Sequence, residues 1–187
     1  MFNITPKIFN EIQEHIHSIS DIGRVRKFAK NELICRVGDE PSHLFYMTSG
    51  LVKCFYLSEG KEILLRLMTD NSAVLSYSGF ITNSPSQEYI ECLQPCEGVW
   101  ISIKKIENLR VENHGIDMIF RYMAEQHYLS MERRLRMLHH KSSKDRFNYF
   151  CETMEKKIVE QTPMHCIASY LGMTPESFSR MKKNLTN

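Results

Sequence analysis

Between Val25 and Ile103 short apolar runs alternate with turn residues. The runs cover residues 25–28, 32–35, 44–47, 51–57, 62–68, 73–75, 88–93 and 98–103. Gly38-Asp39-Glu40-Pro41, Ser49-Gly50 and Ser58-Glu59-Gly60 punctuate them. Short strands spaced about 8–12 residues apart predict an antiparallel sandwich, roll or barrel. Ahead of them, Ile8, Phe9, Ile12 and Ile16 form one stripe of a helix over residues 6–18.

From Gly115 to His139 the period becomes helical. Ile116, Phe120, Met123, His127, Met131, Leu135 and Leu138 recur at spacings of three and four. The run predicts a helix of about 25 residues, against a mean of about 11–12. A long helix with a narrow apolar seam packs well against a copy of itself, which makes the chain a homodimer through that seam. The alternative is a helix lying on its own β-domain. Ser142-Ser143 starts another helix, over residues 144–157, with Phe147, Phe150, Cys151 and Met154 turned inward; residues 158–161 read as a connector.

The last segment, residues 162–187, holds two short helical runs that each open on Thr-Pro, at Thr162-Pro163 and Thr174-Pro175. Threonine caps free N–H groups at a helix start, and proline is tolerated at the first helical position. Gly172 falls between the runs, where the chain must turn with φ > 0. Ala168 allows close approach, and Ile167, Leu171, Met173, Phe178 and Met181 supply a shared apolar seam. The pattern predicts a helix-turn-helix whose second helix is free to enter a major groove. Glu176 and Arg180 share one face of that helix, with Thr174 at its start and Ser177, Ser179, Lys182 and Lys183 alongside. Arginine pairs with guanine O6/N7 and glutamate with cytosine N4, while lysine and serine meet phosphates. A salt-bridged αα-hairpin is the plainer reading of the same residues.

Charge sharpens this picture. The chain of 187 residues has a formal net charge of +2. From Arg133 onward there are 11 Lys/Arg and 5 Asp/Glu, which leaves 13 against 17 before it. A basic C-terminal third suits double-stranded DNA docked at one end. The six cysteines are scattered, the pattern of reduced thiols and not of a disulfide framework. No long apolar run or leader is seen, so the expectation is a cytoplasmic protein without a membrane span.

The order of β-domain, long helix and helix-turn-helix resembles the Crp/Fnr superfamily of bacterial transcription regulators. The residues that carry the resemblance are Gly38-Asp39, Leu44-Phe45-Tyr46-Met47 with Gly50, Val52-Lys53, Gly60-Lys61-Glu62 and the stretch 168–180. It implies an α+β protein: an antiparallel β-roll sensor over 1–112, a dimerisation helix over 113–140, and a DNA-binding domain over 141–187. It implies a homodimer on a palindromic operator, with RNA polymerase as a further candidate partner. Glu176 and Arg180 fall on the family's base-reading pair, whereas Pro175 replaces an arginine that many members place there. Cyclic-nucleotide binders of the family hold the phosphate with a Gly-Glu pair and an arginine. Here the matching segment, with Leu75, Tyr77, Phe80 and Glu88 as candidate effector-pocket residues, has no Phe-Gly-Glu and no Arg or Lys between Met68 and Trp100. A phosphate taken from water needs a charge-assisted partner. The expectation is therefore a different effector, or none, and no response to cyclic AMP.

Cys92 and Cys96 have no second pair for a four-ligand zinc site, and no metal or cofactor is expected. No phosphate loop, nucleophile motif or HExxH is present, so the chain does not read as an enzyme. The rival to a DNA-binding regulator is a sensory or scaffold module whose helix-turn-helix contacts protein.

Overall fold

The computed structural model describes residues 23–112 and 115–186; the helix expected over residues 6–18 lies outside them. The strands are β1 (Arg24–Phe28), β2 (Leu33–Cys35), β3 (His43–Ser49), β4 (Leu51–Ser58), β5 (Lys61–Thr69), β6 (Ser72–Val74), β7 (Tyr89–Cys92) and β8 (Cys96–Ser102). They pair antiparallel in two four-stranded sheets, ordered β1-β8-β3-β6 and β2-β7-β4-β5. This is the expected roll.

Side-chain alternation sorts the apolar residues into layers. On β3, Phe45 and Met47 turn between the sheets, where they meet Phe28, Val74, Val52, Cys54, Ile90 and Cys92. Leu44 and Tyr46 turn the other way, toward the helices. On β4, Val52 and Cys54 face inward, while Leu51 and Phe55 face a second core outside the roll.

Two helices within the roll were not expected. Helix α1 (Tyr77–Thr82) follows β6, and α2 (Ile103–Glu112) starts at the residue where the last strand is expected to end. The long helix α3 (Gly115–His139) has the expected extent. Ile116, Ile119 and Met123 are buried with Leu44, Leu75, Ile101 and Ile106, so its first half lies on its own roll.

Helix α4 (Ser143–Thr153) is shorter than expected, because Met154 is extended at φ −90° and ψ 155°. Helix α5 (Lys156–Gln161) occupies the expected connector. Cys151, read as inward, is exposed. Helices α6 (Met164–Tyr170) and α7 (Pro175–Thr186) follow. Their seam does not close on itself alone. Ile158, Ile167, Ala168, Leu171, Phe178 and Met181 share one core with Leu51, Phe55, Leu64 and Leu67 of β4 and β5. Roll and C-terminal helices are thus joined by buried apolar surface. Fully burying one such side chain is worth about 1.5–3 kcal/mol.

Candidate functional site

The turn between α6 and α7 forms as its residues dictate. Gly172 takes φ +66°, its N–H donates to the Ser169 carbonyl at 3.0 Å, and the Met173 N–H donates to the Ala168 carbonyl at 2.9 Å. The two threonines behave differently. Thr174 caps α7, its Oγ1 accepting from the Ser177 N–H at 3.2 Å. Thr162 caps nothing: it is buried, its Oγ1 has no partner, and α6 starts without a side-chain cap. The cap expected of Thr162 does not form.

Phe178 and Met181 bury the inner face of α7, at 2% and 9% exposure. The outward face carries Glu176, Ser179, Arg180, Lys183 and Asn184, all exposed. The Glu176 carboxyl is held below its usual range by its own backbone N–H and by Thr174. It is therefore an exposed anion at the start of α7. Ser177 is half-buried, and so is Lys182, close enough to the Cys151 thiol to oppose the rise that burial causes there. Ser177 and Arg180 line a groove of about 410 Å³ with Ser143, Lys144, Asn184 and Leu185. Ser143, Lys144 and Asn184 escaped the sequence reading. Ser142-Ser143 followed by Lys144 was the available signal, since Ser142 caps α4 through the Asp145 N–H at 3.1 Å and so sets Lys144 beside α7.

The expected dimer seam divides. Ile116 and Met123 are buried on the roll, Phe120 is partly buried beside them, and His127 contacts Arg66. Those positions are taken by the chain's own roll, which is the alternative that the periodicity left open. The apolar residues left exposed on α3 include Tyr128 at 66% and Leu135 at 59%, with Leu138 following. With Met131, half-buried, they make a three-and-four-spaced seam along the second half of the helix.

The effector-pocket candidates also separate. Leu75 and Tyr77 line a cavity of about 290 Å³ with Arg66, Tyr122, Gln126, His127, Ser130 and Arg133. Phe80 instead stacks on Phe120 at 5.3 Å. Glu88 is buried and bound to Arg66, Nη2 to Oε1 at 2.6 Å. Arg66 precedes the cation-free segment between Met68 and Trp100, and it is the group that decides this site. The register explains its direction: Phe55 pairs with Leu64 but Cys54 with Arg66, so Leu65 is an extra residue in β5. The bulge turns Arg66 to the same side as Cys54, into the roll. Among the described residues no group of three or more His, Cys, Asp or Glu could hold a metal ion.

Residues 25–113 match the family model of the cyclic nucleotide-binding domain. FixK2 from Bradyrhizobium japonicum superposes with a TM-score of 0.76 at 17% identity, covering 88% of this chain and 85% of its own. The c-di-GMP responsive global regulator CLP of Xanthomonas campestris gives 0.73 at 18%, covering 93% and 91%. CooA from Carboxydothermus hydrogenoformans, a mutant, gives 0.71 at 15%, covering 90% and 78%. These are Crp/Fnr transcription regulators. The chain has the Crp/Fnr fold. No curated protein sequence matches it. Within the Crp/Fnr fold, α6 and α7 supply the helix-turn-helix and α3 the long helix. No helix among the described residues is long and apolar enough to cross a membrane.

Proposed function

We propose that the protein is a sequence-specific DNA-binding transcription regulator, acting in the cytoplasm as a homodimer on a palindromic operator. The observation that carries this reading is the division of α7. Phe178 and Met181 anchor it in the core, and Glu176, Ser179, Arg180 and Lys183 stand outward on its other face. A helix so presented reads base edges with its fork and carboxylate and holds phosphates with lysine. Lys144, on the same groove, adds a further cation for the backbone. The seam of Tyr128, Met131, Leu135 and Leu138 supports pairing of two α3 helices, which would present two copies of α7. RNA polymerase remains a candidate partner of the bound dimer.

Selection of operators from random duplexes by the purified full chain tests the reading. A palindrome with half-sites about 34 Å apart is the expected result. Recovery of no common sequence would favour a helix-turn-helix that contacts protein.

A further inference from the structure

Arg66 reaches three parts of the molecule at once. Its own strand is β5; its Nη2 donates to Glu88, which leads into β7; its Nη1 donates to His127 Nδ1 at 3.0 Å on α3. A guanidinium has no lone pair to offer, so Nδ1 is the acceptor and the imidazole proton sits on Nε2. Burial and the Arg66 charge keep that ring neutral, with a pKa of about 4. Tyr77 of α1 packs on the same ring at 4.8 Å. Arg66 is 7% exposed and Glu88 5%, so the pair lies out of water.

This cluster stands where a ligand between roll and long helix would have to act. The cavity beside it is walled by β5 and β6, by α1 and by α3, and it extends to Met154, Glu155 and Ile158 of the C-terminal region. Of its two arginines, the buried one is not free for a phosphate. Arg66 is neutralised by Glu88 at 2.6 Å, and Arg133, whose Nη1 lies 3.8 Å from the Met154 sulfur, only partly opposes the rise that burial causes at the Glu155 carboxyl. Asp70, the other carboxylate on the wall, is bound to Lys157 at 2.5 Å. An incoming phosphate would meet two carboxylates on the wall, Asp70 and Glu155, and would find Arg66 already held by Glu88.

We infer that Arg66 is a built-in tie that holds α3 against the roll in place of a ligand, so that DNA binding needs no small-molecule effector. The inference rests on the DNA-reading function proposed above and concerns its regulation. Arg66 acts as a positioning residue: it fixes α3, and α3 carries the exposed seam and leads into α4. The bulge at Leu65 is the structural device that makes this possible, because it turns a charged side chain of an edge strand into the roll.

The test begins with the full-length protein, denatured, dialysed and refolded to remove any small molecule. The inference expects the stripped protein to bind its selected operator as tightly as untreated protein, and cyclic AMP or cyclic GMP at millimolar concentration to leave that affinity unchanged. The double variant Arg66→Met with Glu88→Leu removes the tie without stranding a buried charge. It is expected to keep a cooperative thermal transition, to lose operator affinity by about fivefold or more, and to exchange α3 amides around His127 faster.

Loss of operator binding on stripping, with recovery only when a small molecule is added back, would overturn the inference. So would a folded double variant with wild-type affinity and wild-type exchange. If untreated protein selects no operator, the DNA reading fails instead. The exchange comparison then decides the tie alone: faster α3 exchange in stripped wild type refutes it, and unchanged exchange with faster exchange in the double variant upholds it.

Discussion

Ser169 of α6 bonds twice to the free edge of β5: its hydroxyl accepts from the Leu64 N–H at 3.1 Å and donates to the Glu62 carbonyl at 2.9 Å. β5 is the outer strand of its sheet, and such an edge carries backbone groups without a strand partner. One small side chain therefore closes part of the roll's edge and docks the helix-turn-helix there. Lys157–Asp70 ties α5 to the end of β5, and the Arg134 bond to the Tyr170 carbonyl at 2.8 Å ties α3 to α6.

Replacing Ser169 with Ala leaves both edge groups unpaired. The expected loss is about 1–3 kcal/mol, read from denaturant unfolding. Because roll and C-terminal helices share a core, unfolding should stay a single transition by tryptophan fluorescence and by far-ultraviolet dichroism. Two separated transitions would show that the shared core does not couple them.

The two threonines give opposite expectations. Thr174→Ala removes a cap and should cost about 1 kcal/mol. Thr162→Val replaces a buried hydroxyl without a partner by a methyl group, and should be neutral or stabilising by up to about 1 kcal/mol. Thermal melts of the two variants check both signs.

Most of the fold was legible because period-2 runs with glycine turns admit few arrangements. What was missed has physical causes. Tyr77–Thr82 is too short a helix to show a period. The direction of Arg66 depends on a one-residue bulge, and in sequence a bulge looks like one more strand residue. The seam of α3 was visible as apolar, yet an apolar face does not name what covers it: Ile116 and Met123 took the roll, leaving Tyr128 and Leu135 outside. The helix-turn-helix was read from Gly172 and its flanking residues, but its sharing of a core with Leu51, Phe55 and Leu64 carries no local signal.

That division makes a prediction about assembly. Tyr128→Glu with Leu135→Glu puts four charges into a paired interface while touching no buried site of the single chain. Sedimentation should show wild-type dimers and folded variant monomers. Met123→Glu places a charge in the core instead and should unfold the protein. A wild type that stays monomeric at tens of micromolar contradicts the dimer.

His127 should make stability depend on pH. Its folded pKa, about 4, lies below the ordinary histidine value of 6.5, so between those values the unfolded chain binds more protons. Stability is then full above about pH 6.5 and falls as pH drops toward 4, by about 1–2 kcal/mol after allowance for partial solvent screening. Glu155, raised by burial, opposes this drift. His127→Gln should remove the His127 contribution, leaving a smaller loss between pH 7 and pH 5 in denaturant melts. An equal loss in both proteins would place the cause elsewhere.

The central claim is that α7 reads sequence, and Arg180 tests it most directly. On the selected operator Arg180→Ala should cost about 1–3 kcal/mol and abolish preference at one base position per half-site. Lys183→Ala should weaken every duplex alike and lower the salt slope by about one unit per lost phosphate contact. Titrating both variants against operator and scrambled DNA at two salt concentrations gives the answer in one data set. The account predicts that only Arg180→Ala narrows the gap between operator and scrambled sequence; equal effects of the two variants on both duplexes would contradict it.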